Sequence, residues 1–175
     1  MNIYLNNIIR FFLFAFLQVL VLNQIEIGFG IQIMVYPLFV LMLPVELGVI
    51  PLMLIAFAQG LLIDAMSNTY GLHTSAILIF AYARPAIFKL FAPRDGYEHI
   101  AEANIFSMGT LWFLKTFGLL ITIHHLWFFM VEMFKLNEVL FVLQKTFLSI
   151  IFTMFICILM QYLFLRKSVE NEVRR

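Results

Sequence analysis

The chain has 175 residues, of which 63% are apolar and 12% charged, and its mean hydropathy is +1.00. These values lie far outside the averages of soluble domains and identify an integral membrane protein. A formal net charge of +1 leaves no basic stripe to neutralise phosphates, which excludes nucleic acid as a partner, and the single cysteine, Cys157, has no mate for a disulfide or a Cys-rich metal site.

In chain order, Met1 to Arg10 followed by the apolar run Phe11 to Leu22 has the outline of a signal peptide. Only Asn23-Gln24-Ile25-Glu26 follows where a small-residue cleavage site would stand, so the run is expected to be a first, retained span. The second run, Ile27 to Leu43, is broken by Pro37 and closed by Pro44, and at ~17 residues it is about as short as a span can be. It fits a full helix or a re-entrant one. The third run, Val49 to Ile63, carries Ala56 and Gly60 at a spacing that lets a neighbouring backbone come close, and Asp64 follows directly. Leu72 to Phe91 makes a fourth span in which Arg84-Pro85 is expected to bend or end the helix, with Arg84 snorkelling to water.

The segment Ala92 to Asn104, with its proline, Asp-Gly pair and mixed charges, reads as a solvated loop with one helical turn at most. Span five is expected from Ile105 to about Phe129. Inside it Lys115 needs a counter-charge, a carbonyl cluster or water, or else snorkels to the cytoplasmic edge. Glu132, Lys135 and Glu138 at helical spacing suggest a short surface helix before a sixth span, Val142 to Leu165. The expected organisation is therefore all-α, polytopic and about six-spanned, with one membrane domain over 1–165 and a charged cytoplasmic tail over 166–175. Arg10, then Arg84, Lys89 and Arg94, then the tail all fall on one side of such a topology, which puts both termini in the cytoplasm.

The polar stretch Gly60 to His73 stands out among these runs, because an ionisable group between spans is costly and marks a functional surface by default. Asp64 suits a proton-relay or substrate group, or a cap for the next turn. The reading taken here is that it ties the end of span three to the turn before span four, so that Asp64→Asn keeps much of the hydrogen bonding. Asn68 and Gly71 suit a turn, and His73 suits a ligand or an interfacial hydrogen-bonded histidine. His124-His125 is a poor metal site, because adjacent residues point to different sides of a helix and no acidic residue completes a ligand set. No nucleophile and base, phosphate loop or paired-carboxylate motif is present in the sequence, so neither an enzyme nor a cofactor is expected.

Gly60-x-x-x-Asp64, six further residues and then Gly71 opening the next apolar run resemble the signature segment of the rod shape-determining protein MreD family. Leu43-Pro-Val-Glu46, Asp64 through His73, Arg84-Pro85, Pro93-Arg-Asp-Gly-Tyr97 and the basic Arg166-Lys167 after the last run are similar to its Bacteroidetes-type branch. The resemblance covers essentially the whole chain. It implies a bacterial inner-membrane protein that binds an MreC-like scaffold and works beside MreB, RodA and a class B penicillin-binding protein in lateral peptidoglycan synthesis. It also implies a fold similar to the S components of energy-coupling-factor vitamin transporters, and no catalytic residues. On this reading the face Ala56 to Gly60 and the surface helix Glu132, Lys135, Glu138 are candidate partner contacts. The alternative is a small-molecule-binding membrane protein like an S component, with Asp64, Asn68 and His73 lining an outward pocket.

Overall fold

The structure is a computed structural model that describes residues 3–25, 27–94, 96–97, 102–134 and 138–164. Its regular elements among the described residues are all helical: α1 (Ile3–Leu20), a short 3-10 turn (Leu22–Gln24), α2 (Tyr36–Met42), α3 (Val49–Ser67), α4 (Leu72–Leu90), α5 (Ile105–Met108), α6 (Thr110–Met133) and α7 (Val139–Phe164). Four segments, Leu5–Gln24, Val49–Ser67, Thr110–Met133 and Val139–Leu163, are long and apolar enough to cross a membrane. The fourth run forms α4 as expected, but with His73, Thr74, Ser75, Arg84 and Lys89 it is too polar to count among them. The proposed tail 166–175 lies outside the described residues, as does Lys135.

The second apolar run is not one helix. Ile31 to Met34 is irregular backbone, Val35 is the N-cap with helical φ/ψ, and only the seven residues of α2 are helical, all of them buried. Pro37 begins this helix rather than breaking it, since its missing N–H falls in the first turn, and Pro44 lies just beyond its end.

Irregular backbone buried without a sheet leaves its N–H and C=O groups unmet, and side chains from two helices meet them. Gln18 of α1 donates Nε2 to the Ile33 carbonyl at 2.9 Å and accepts the Val35 N–H at 2.9 Å. From α7, Ser149 accepts the Gln32 N–H and Thr153 the Met34 N–H, each at 3.1 Å. These pairings place the start of the run beside the N-terminal half of α7. Its other end lies at the opposite extreme, where Pro44 bridges to Glu102.

Arg84 is the largest correction at this end. It is only 1% exposed and does not snorkel: its guanidinium donates to the carbonyls of Leu41 at 3.0 Å and of Leu43, and it stacks 4.5 Å over Phe88. The carbonyls at the C-terminus of a short buried helix have no intrahelical partner, and a single guanidinium nitrogen from α4, Nη2, supplies one. Pro85 neither ends nor unwinds α4, which runs five residues further. The orphan carbonyls at its end are met by Tyr97 Oη on Phe88 O (2.7 Å) and Trp112 Nε1 on Phe91 O (2.9 Å). Burial pushes the Tyr97 phenol above its ordinary range, which keeps it a donor.

The same end holds the Arg10–Glu102 ion pair (2.7 Å) and the short α5, capped by Asn104 and separated from α6 by Gly109 at φ +82°. Span five therefore begins at Thr110, not Ile105. At the opposite end α6 runs on to Met133 and stops at Phe134 in a left-handed cap, so Glu132 closes α6 while Glu138 precedes α7, and they do not share a surface helix. Lys115, the sixth residue of α6, is exposed rather than held by a buried counter-charge. The packing order is α3 on α4, α4 on α6 and α6 on α7, with α1 against α3 and α2 in the middle.

Candidate functional site

The polar stretch forms the tight turn between α3 and α4. Asn68 caps α3 at φ +55° and Gly71 precedes α4 at φ +93°, a conformation that suits a residue without Cβ. With glycine at that position, α4 has no capping side chain of its own, and Asp64 from α3 supplies it. Asp64 Oδ1 accepts the Thr69 hydroxyl and the His73 N–H (3.0 Å), while Oδ2 accepts the Thr74 N–H (2.9 Å) and hydroxyl (2.6 Å). All four partners are donors, so the carboxylate is both a cap for α4 and a tie across the turn.

Gly60 lies one helical turn before. A Cβ there would stand 2.6 Å from Thr74 Cα and 2.9 Å from Ile77 Cγ2, and Ala56 on the same face is fully buried. The close approach that this face allows is thus made to α4 of the same chain. Ala56 and Gly60 are not open to a partner, which corrects their assignment as a docking face. Glu132 is likewise engaged within the chain: Lys145 Nζ lies at 2.6 Å and Gln32 Nε2 at 3.1 Å, tying α6, α7 and the irregular run.

Three helices, α2, α4 and α6, also bring together a string of polar rings that their sequence separation conceals. His73 Nδ1 lies 3.1 Å from Tyr36 Oη, Tyr36 Oη 2.7 Å from His124 Nε2, and His124 Nδ1 3.3 Å from His125 Nδ1. His125 continues through Nδ1 to the Ile121 carbonyl (3.1 Å) and through Nε2 to Thr153 Oγ1 (3.2 Å). All are buried. His124 and His125 do not point apart; both turn inward. His124 lies between Tyr36 and Phe80, and His125 meets α7.

The string ends at a cavity of about 760 Å³, lined by the residues after α1, the start of the irregular run, the α3–α4 turn and the end of α6. His73 and Thr69 line it; Asp64 and Asn68 do not. The sequence pointed to the right turn but to the wrong side chains. Asn23, Gln32 and Ser67, which complete the polar wall, carry no motif by which sequence reasoning would find them. Among the described residues no group of three His, Cys, Asp or Glu is placed to hold a metal ion. Comparison with known proteins finds no matching family model, no matching curated protein and no matching solved structure.

Proposed function

We propose that this chain is a non-enzymatic membrane adaptor of the MreD type. It crosses a bacterial inner membrane six times with both termini cytoplasmic and holds an MreC-like scaffold near the wall-synthesis machinery. The observation that carries this reading is how the interior polar groups are used. Gln18, Asp64, Arg84, Ser149, Thr153 and Gln161 each bond backbone of another segment of the same chain, so they serve to hold its shape. Arg10, Lys89 and Arg94 gather at the end of the bundle opposite the α3–α4 turn, a basic bias that supports a cytoplasmic face there; in the six-pass reading α4 and the run from Ile27 to Leu43 add one pass each to the four span-length helices.

With Ala56 and Gly60 enclosed, the partner contact falls instead on α7, which packs chiefly on α6 and presents Leu140, Phe147, Ile151 and Phe155 outward along one stripe. Purification of the tagged protein in mild detergent, with mass spectrometry of what accompanies it, tests the proposal. Recovery of an MreC-like scaffold with RodA or a class B penicillin-binding protein is the expected result. Recovery of an ATPase module with a transmembrane coupling subunit, and no scaffold, would replace it by the S-component-like alternative, which the cavity at the end of the bundle favours.

A further inference from the structure

We infer that the cavity binds a neutral polyhydroxylated ring, a sugar or the sugar headgroup of a lipid, with His73 as a fixed hydrogen-bond donor. This rests on the cavity being a ligand site and does not depend on the adaptor reading.

The first ground is the order of protons along the string. A backbone carbonyl only accepts, so the His125 nitrogen facing Ile121 O, Nδ1, carries a proton. His124 Nδ1, 3.3 Å from that same N–H, is then the acceptor, which puts the His124 proton on Nε2, facing Tyr36 Oη. Tyr36, accepting there, gives its own proton to His73 Nδ1. The proton of neutral His73 is left on Nε2, which has no partner among the described residues, in a ring that lines the cavity. A carbonyl on α6 thereby determines, through four hydrogen bonds, which face His73 shows to a ligand.

The second ground is the rest of the wall. Ser67 accepts from Asn23 and keeps its own proton to donate, while Gln24 and Gln32 use only their amide nitrogens and keep their oxygens to accept. The wall thus offers both donors and acceptors, which a hydroxyl, able to do both at one atom, satisfies better than a carboxylate or an ammonium. The lining among the described residues includes no lysine or arginine, and its one carboxylate, Glu132, is neutralised by Lys145. A phosphate would therefore find no counter-charge among the described lining residues. Phe128, Leu72 and Ile33 supply the apolar side on which the C–H face of a ring or an alkyl chain rests.

The test uses protein extracted with its lipid by a styrene–maleic acid copolymer, so that no detergent sugar competes. The probes are radiolabelled octyl glucoside and octyl phosphate, with empty lipid discs as background. One saturable site for the glucoside and none for the phosphate is expected. The double variant Ser67→Ala, Gln24→Ala, at a half-buried and an exposed position of the rim and checked for unchanged thermal unfolding, should bind the glucoside about 25-fold more weakly, about five-fold for each lost hydrogen bond. Nitrogen-15 spectra should show His73 as the Nε2–H tautomer. Competition by methyl glucoside would assign the site to a free sugar, and failure to compete to a lipid-borne one. Absence of a saturable site, equal binding of the phosphate, an unaffected double variant or His73 protonated on Nδ1 would overturn the inference, while leaving co-purification of a scaffold as a separate result.

Discussion

Asp64 shows how a single side chain can join two helices. Because each of its oxygens faces two donors, an amide in its place keeps the bonds to one oxygen but turns an N–H₂ toward a backbone N–H at the other. One buried donor is left unmet, at a cost of about 1–3 kcal/mol, and Asp64→Leu leaves every donor unmet and costs more. Thermal unfolding in detergent should rank them wild type, then Asn, then Leu. Equal melting temperatures for wild type and Asp64→Asn would contradict the four-donor arrangement. Arg84 obeys the same logic with the charge reversed: Arg84→Leu removes the Nη2 donor to the Leu41 and Leu43 carbonyls and should destabilise strongly, whereas Arg84→Lys keeps a cationic donor but loses the planar group over Phe88 and should fall between.

At the scale of elements, two contacts decide how helices sit. Gly60→Ala places a methyl 2.6 Å from the backbone of α4, an atom that cannot swing aside, so α3 and α4 must separate. We expect a loss of about 1–3 kcal/mol, read as a lower melting temperature, although Ala is the better helix former. Were the variant as stable as the parent, the α3–α4 packing described above would be wrong. The irregular run depends on Gln18 in a comparable way. Gln18→Leu, of similar bulk, leaves the Val35 N–H and Ile33 carbonyl without partners, and hydrogen exchange of the Val35 amide should rise well above that of helical α2.

For the whole molecule the decisive question is the direction of each pass. If the run from Ile27 to Leu43 traverses the membrane, cysteines replacing Phe29 and Glu46 label from opposite sides with an impermeant maleimide. Tyr70→Cys should then label with Phe29→Cys, and Lys89→Cys with Glu46→Cys. Labelling of positions 29 and 46 from one side would make the run re-entrant, give an odd number of crossings and place the two termini apart. The native Cys157 is fully buried and should not interfere.

Composition alone determined that this is a helical membrane protein, because apolar runs of span length leave the backbone few other ways to meet its hydrogen bonds in lipid. The turn around Asn68 and Gly71 was also legible, since left-handed backbone restricts which residues serve, and so was a carboxylate that joins helices, from its place at a span end. What the tertiary structure decided is how each polar side chain is used. Arg84 reads as a snorkelling cation until α2 is seen to end against it, and Ala56 and Gly60 read as an outer face until α4 is found in contact. The His73, Tyr36, His124 and His125 string is assembled from three separate segments. Hydropathy along the chain reports how costly a buried group is, but its partners lie at sequence separations of 37 to 88 residues, where no periodicity reaches.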